Sequence, residues 1–532
     1  MATEIENVQG AKGTGSFERN MLHTAKGGGF LAAGSLFEFG SRFVIAFVLA
    51  RLLGAGEYGI YNLAISAATI VASIGTIGLD STMVRYIAMH KGKKDAAGLW
   101  GTLQIGVGFS FGASIVLGLS LYALSDLLAI QVFHEAGLAS YLRLFSLFVP
   151  FSTLSSVLVD VARGFKRMDY SALGENVVLF VARLILVGIL GLIGLNAYTA
   201  IIAFGLSDLA VVLALFYLLD KEFSFRRPLR EARRDYREVL TFALPFWLSG
   251  LLTKFRKNLQ TLLLGTLNTV VSVGIFSIAV KINLVGHVAY TAIITSVKPF
   301  LAELYDQGNV EQMGRLYITT TRWAFTANLP LFLLMALYPQ ELLSIFGESF
   351  TGGALALIVL AAGELVNAGT GICGSIIDMT GYTRLKLANS VIWVTLLSVS
   401  NVLLIPQGGV LGAAVASSFS IAFVNLLRTV EVWIIFRLQP YNWSYGRPLL
   451  AAVLASGAAL LLGRVLPASG NFLFTAVHVL VLFAIYAAAL LILGLPNEER
   501  TVLARTYTRS NHMRMQLQAA LQERLVSRSG VR

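Results

Sequence analysis

The chain has 532 residues, of which 56% are apolar and only 13% charged, and its mean hydropathy is +0.73. Ordinary soluble proteins carry roughly a quarter charged residues; this chain cannot dress its apolar mass in a polar surface, which excludes a soluble enzyme and a disordered protein, and its single cysteine, Cys373, excludes a disulfide scaffold. The net charge of +12 would suggest nucleic acid in a soluble protein; its placement here points instead to a membrane surface, and no nucleic-acid partner is expected.

A spanning helix needs about 20 predominantly apolar residues. In chain order, fourteen runs have that character, centred within 30–50, 58–79, 101–124, 142–162, 173–194, 198–219, 241–265, 273–296, 319–338, 354–377, 387–405, 410–436, 448–466 and 472–494. They are continuous rather than alternating, which favours helices over barrel strands. The run 142–162 has Arg143 and Asp160 near its ends, and 241–265 carries three basic residues. Residues 1–25 are polar and lack a cleavage-like motif, so they are expected to stay as a cytoplasmic tail. With that end inside, the cytoplasmic segments hold 31 of the 41 Lys and Arg, against 2 (Arg51 and Arg464) on the opposite side. One missed span would flip every later loop, so the asymmetry favours the fourteen-helix count with both termini cytoplasmic.

The chain also repeats itself. EYGIYNLAISA (57–67) aligns without gaps on SVGIFSIAVKI (272–282) at an offset of 215, which sets Gly59 on Gly274, Tyr61 on Phe276 and, one helix earlier, Arg42 on Lys257. A second echo pairs Gly164–Arg167 with Gly381–Arg384 at an offset of 217. The expected architecture is therefore an all-α integral membrane protein: a tail (1–25), an N-lobe of helices one to six (26–219), a basic linker (220–240), a C-lobe of helices seven to twelve (241–436), helices thirteen and fourteen (447–494) and a basic tail (495–532). Six is even, so the two lobes form a parallel repeat, an arrangement suited to alternating access around a midplane cavity. The linker sequence KEFSFRRPLREARRDYRE (221–238) reads as an amphipathic stretch touching anionic headgroups.

Ionisable side chains at bilayer depth cost roughly 2.5–3.5 kcal/mol each on insertion scales and usually face a cavity or a partner. Glu38 and Arg42 stand four residues apart on one helix face; they form either a self-neutralising pair or a cavity cation positioned by an acid that doubles as an ion site. KFRKNLQT (254–261) gathers Lys254, Lys257, Asn258 and Thr261 within an arc of about 100°. That face either lines a cavity or lies near enough to the interface for its side chains to snorkel. Lys281 adds a further buried cation. His287 reads either as a packing residue or as a proton relay. Glu364, Asp378, Arg183, Glu175, Asp208, Arg428 and Glu431 are scattered and read mainly as structural pairs or helix-end charges, although any one carboxylate could couple transport to an ion gradient.

Arg42, Lys254, Lys257 and Lys281 together suggest a cationic cavity for a phosphate or pyrophosphate group, with loss of transport expected in Arg42→Ala and Lys257→Ala. Glu38, Asn258, His287 and Glu364 are the candidate polar or ion-coupling groups, for protons or sodium. With no HExxH, CxxC, P-loop or GxGxxG before a helix, no metal, cofactor or direct ATP use is expected.

ARLLGAGEYGIYNLA (50–64) followed by GLDSTMVRYIA (78–88) resembles the opening of Wzx-type polysaccharide flippases of the multidrug/oligosaccharidyl-lipid/polysaccharide superfamily. FALPFWLSGLL (242–252) and LIPQGGVLGAAVASSFS (404–420) are similar to that family's seventh-helix opening and its helix eleven–twelve motif, and the resemblance spans about 25–440. It implies a V-shaped pair of six-helix lobes that translocates an undecaprenyl-pyrophosphate-linked oligosaccharide across the bacterial inner (plasma) membrane, working with glycan-assembly proteins and membrane lipids. The related lipid II flippases have basic cavity residues in helices one and eight, the helices that hold Arg42 and Lys281 here. Their helices thirteen and fourteen can form a lipid-tail groove. The alternatives are a cation-coupled drug exporter of the same superfamily, which needs an acid-lined cavity, and a membrane polysaccharide polymerase or glycosyltransferase, which needs a large external loop.

Overall fold

The structure, a computed structural model, describes residues 2–194, 196–225, 227–465 and 472–494, with side chains from Phe39 onward apart from a few scattered positions. The expected tail 495–532 lies outside the described residues. The helices, in chain order, are α1 Ala2–Thr76, α2 Leu79–Gly92, α3 Ala96–Gln104, α4 Ser110–Leu127, α5 Leu138–Ser146, α6 Val149–Gly164, α7 Met168–Ala172, α8 Leu179–Gly194 and α9 Ala197–Asp220. After the linker come α10 Tyr236–Leu267, α11 Val270–Asp306, α12 Val310–Leu337, α13 Pro339–Ser344, α14 Ala354–Thr370, α15 Cys373–Met379, α16 Thr383–Phe436, α17 Gly446–Val465 and α18 Phe472–Ile492. Among the described residues there is no strand. Without water in the hydrocarbon, backbone polar groups must bond internally, which explains the helical content.

The fourteen apolar runs fall on helices, with 142–162 divided between α5 and α6 and 354–377 between α14 and α15, but length and hydropathy alone accept nine spans among the described residues, or ten when the pair α5 and α6, bent by 48°, counts as one. Two of the nine are 54 residues long and join two runs each. In the first, Gly54 (φ 69°, ψ 176°) breaks α1 between the runs 30–50 and 58–79. In the second, Gly409 (φ 50°, ψ −122°) breaks α16 three residues after Pro406, whose missing N–H already weakens the helix. Helices α10 and α12, which hold the runs 241–265 and 319–338, are too polar to be accepted. The protein is a multi-pass membrane protein.

The chain forms two compact units: 1–285 with 342–363 and 387–424, and 286–341 with 364–386 and 425–532. The division runs through α11, α13, α14 and α16. In the first unit α2, α3, α6, α9 and α10 enclose a core that includes Leu79, Met83, Ile87, Leu158, Val161 and Leu215. In the second, α17 and α18 pack on α12 through Leu329, Tyr338, Ala455 and Leu482, and the Tyr486 hydroxyl donates to the Thr326 carbonyl at 3.0 Å.

Within the first unit the repeated motif packs on itself. A Cβ on Gly59 would lie 1.8 Å from the Val270 carbonyl oxygen, and one on Gly274 would lie 2.1 Å from the Ala55 carbonyl oxygen. Residues 55 and 270 are related by the same offset of 215 as Gly59 and Gly274, so the two copies of the motif touch in a two-fold manner through backbone. Only a residue without Cβ allows that approach, a common device where helices meet in lipid.

The linker is strapped down. The Arg233 amide donates to the Ala97 carbonyl at 3.0 Å, the Trp100 indole N–H to the Pro228 carbonyl at 3.1 Å, and the Tyr86 hydroxyl to Glu238 at 3.2 Å. Asp95 is the knot: it caps α3 by accepting from the Gly98 amide at 2.9 Å and pairs with Arg233 at 2.6 Å and His90 at 3.0 Å. The Gly98 amide, with help from Arg233 and His90, holds its carboxyl below the usual carboxylate range despite partial burial.

Candidate functional site

In the first unit, α1, the segment Glu175–Arg183 and α9 enclose a cavity of about 420 Å³. A second cavity of about 280 Å³ extends it toward α6 and α10, and the two share Arg42, Thr69, Phe204 and Asp208 in their walls. The polar lining comes from chain positions far apart in sequence. Tyr58, Asn62 and Thr69 repeat along one face of α1 at spacings of four and seven, which fits 3.6 residues per turn. The expected cations enter from three helices: Arg42 on α1, Lys254 on α10 and Lys281 on α11. The structure therefore brings three of the four together around one cleft. Lys257 is exposed and belongs to neither wall. One helical step of three residues rotates it about 60° from Lys254, enough to leave the cleft.

The Lys281 ammonium donates to the Tyr58 hydroxyl at 2.8 Å and to Asn62 Oδ1 at 3.5 Å, and lies 5.2 Å from the centre of the Tyr58 ring. These partners are neutral. Neither Lys281 nor Lys254 forms an ion pair among the described residues. Both carboxylates in the lining are engaged: Glu175 pairs with Arg163 at 2.5 Å, while Asp208 accepts from the Ser152 hydroxyl and lies 3.9 Å from Arg183. Arg183 also donates to the Ser207 hydroxyl at 3.1 Å and sits 4.1 Å from the Phe204 ring. The cleft is thus lined by four cations, Arg42, Arg183, Lys254 and Lys281, against two paired carboxylates. In a site of reduced dielectric such an excess favours a guest of opposite charge.

Sequence reading did not assign Arg183, Glu175, Asp208 or the uncharged polar residues to the site. Arg183, Glu175 and Asp208 read as scattered helix charges because nothing in sequence order shows α8 and α9 facing α1. The polar stripe Tyr58, Asn62, Thr69 was discoverable from its helical spacing. Of the expected coupling groups, the side chain of Glu38 lies outside the described residues. Asn258 turns back on its own helix and donates to the Lys254 carbonyl at 2.9 Å. His287 and Glu364 do meet, in the second unit, with His287 Nδ1 3.3 Å from Glu364 Oε1. Glu364 is buried and also accepts from Asn367 at 3.0 Å, and Asn367 in turn accepts from Asn425 at 2.7 Å. His287 keeps about half its side chain exposed.

The polysaccharide biosynthesis protein family matches residues 24–305, just over half of the chain. The chain belongs to that family. The MatE family matches residues 245–404. The probable flippase AglR of Haloferax volcanii is 25% identical over 414 residues, covering 75% of this chain and 82% of that protein. The probable low-salt glycan biosynthesis flippase Agl15 of the same organism is 24% identical over 445 residues, covering 81% and 88%. Among solved structures, the lipid II flippase MurJ in an inward closed conformation superimposes with a TM-score of 0.67 at 12% identity, over 86% of this chain and 97% of that one. The last likeness is one of fold. The resemblance to flippases carried by residues 50–88, 242–252 and 404–420 is borne out at the level of family and fold.

Proposed function

We propose that this polysaccharide biosynthesis protein is a flippase, a transporter and not an enzyme, which carries a lipid-linked glycan across its membrane. The anionic phosphate or pyrophosphate that joins lipid to sugar enters the cationic cleft, and the lipid tail stays in hydrocarbon. The observation that carries this reading is the charge arrangement: among the described residues Lys254 and Lys281 reach the cleft without a carboxylate partner while Glu175 and Asp208 are taken by arginines. Arg42 completes the anion site, and Tyr58, Asn62 and Thr69 offer hydroxyl and amide groups to sugar or phosphate oxygens. Lys257, outside the cleft wall, is the least of the four proposed cations.

The names of both Haloferax relatives support a flippase, and that of Agl15 supports a glycan-linked cargo. The finer proposals are an undecaprenyl-pyrophosphate carrier, a bacterial inner membrane, cytoplasmic termini, two six-helix lobes working by alternating access, and partner glycan-assembly proteins. The ion-coupling step is proposed for the His287–Glu364 pair, a buried acid within hydrogen-bonding distance of a half-exposed imidazole.

A second reading is a drug exporter, as the name of one structural neighbour, an inward-facing multidrug resistance MATE family transporter, suggests. A cationic drug would meet Lys254 and Lys281, which form no ion pair among the described residues and would repel it. The deciding measurement is flipping of a defined lipid-diphosphate oligosaccharide in proteoliposomes, with a cationic dye as competitor cargo. Flipping that falls in Lys254→Met and Lys281→Met supports the proposal. Unchanged flipping in both, or export of the dye alone, ends it.

A further inference from the structure

The strapped linker creates a second feature that cargo transport does not use. Between the linker and the α3–α4 helix lies a groove of about 590 Å³ lined by Trp100, Leu103, Val107, Phe109, Phe216 and Phe225, with Gln104, Arg234 and Tyr236 at one end. Its floor is aromatic: Phe216 and Phe225 meet edge to face at 5.4 Å, and Trp100 and Phe225 at 6.2 Å. It runs beside the π-helical turn Ile105–Phe109, and Gly108 opens onto space, with nothing within 4 Å of where its Cβ would be.

The polar end is built and incomplete. Arg234 donates to Gln104 Oε1 at 2.7 Å, which fixes the amide orientation and turns Nε2 the other way. That Nε2 is buried and has no hydrogen-bond partner among the described residues. A buried, unsatisfied N–H is costly and calls for an acceptor. Among the described residues no carboxylate lines the groove. The flanking linker adds exposed Arg227, Arg230 and Arg237, a polybasic segment of the kind that draws anionic lipids.

We infer that this groove is a binding site for one anionic phospholipid of the bilayer, its acyl chain along the aromatic floor and an ester or phosphate oxygen accepting from Gln104 Nε2 beside Arg234. Bound there, the lipid would tie the linker to α3 and α4. The inference is independent of which cargo the cleft carries, since none of the groove residues lines the cleft.

The test measures lipid binding to the purified full chain in neutral detergent, by native mass spectrometry and by thermal shift, with phosphatidylglycerol and phosphatidylcholine of the same acyl chains and with polyprenyl phosphate. Phosphatidylglycerol is expected to be retained preferentially. Gly108→Leu, which fills open space, and Arg234→Gln should each weaken it on the order of tenfold, as loss of a charge-assisted contact or of the chain's place implies. Arg230→Ala, an exposed linker arginine outside the groove, should leave it within about twofold. Equal retention of both phospholipids, or equal losses in Arg230→Ala and Arg234→Gln, would mean diffuse surface attraction and overturn the site. Displacement of phosphatidylglycerol by polyprenyl phosphate, lost in Gly108→Leu, would make the occupant the cargo's tail and also overturn it. Should Arg234→Gln fail to fold, as its thermal transition without lipid would reveal, Gly108→Leu decides.

Discussion

Lys281 is held by neutral acceptors, a tyrosine hydroxyl and an asparagine oxygen, which satisfy an ammonium's hydrogens but leave its charge. Arg183, by contrast, sits close to Asp208. A visiting phosphate therefore gains most at Lys281 and Lys254. A charge-assisted hydrogen bond is worth about 1.5–3 kcal/mol, so Lys281→Met and Lys254→Met should each slow flipping of a lipid-diphosphate glycan by about tenfold or more. Lys257→Met, exposed and off the wall, should change it by no more than about twofold, the usual scale of a surface substitution. Initial flipping rates in proteoliposomes check both. For the pair His287–Glu364, an imposed proton gradient should change flux through the wild type and not through Glu364→Gln, while headgroup binding stays intact. Loss of binding in that variant would place Glu364 in the cargo site instead.

Among the elements, α1 and α11 meet through backbone at Gly59 and Gly274. A methyl group at either position must push the two helices apart; overpacking of this kind typically costs about 1–3 kcal/mol. Gly59→Ala and Gly274→Ala are each expected to lower the thermal transition in detergent, and the double variant should cost less than their sum, because the first separation already accommodates the second methyl. The linker gives a pH prediction. Asp95 is held below its ordinary value, so its contribution to the strap is complete above the unfolded pKa of about 3.9. It is lost only as pH falls through the lower folded value. Protection of the amides in 227–238, the exchange rate relative to the intrinsic rate at each pH, should therefore be the same at pH 7 and pH 5 and fall at both in Asp95→Asn. A marked loss of protection in the wild type from pH 7 to pH 5 would contradict the sign.

At the scale of the whole molecule, the proposed topology sets Lys93, between α2 and α3, and Gly137, between α4 and α5, on opposite membrane faces. Cys373 is buried and is the sole cysteine, so it offers a silent background. In sealed right-side-out vesicles a membrane-impermeant maleimide should label Gly137→Cys and spare Lys93→Cys until the membrane is opened. Labelling of both, or the reverse pattern, would refute the orientation drawn from the 31-to-2 bias in Lys and Arg.

The sequence by itself determined that the chain is helical and membrane-spanning, where its apolar runs lie, and that one motif occurs twice, because bilayer thickness and internal backbone bonding leave few other ways to bury 56% apolar residues. It also singled out Arg42, Lys254 and Lys281, since a cation in an apolar run is visible without knowing its neighbours. Tertiary structure decided the rest. Whether Lys257 shares the cleft turns on about 60° of helix rotation. Whether Asp208 and Glu175 cancel the cations turns on which arginines reach them, from α8 and α6, and whether Glu364 is a lone acid or half of a pair turns on α14 facing α11. The partner of a charge is set by packing between segments tens to hundreds of residues apart, and no local pattern encodes it.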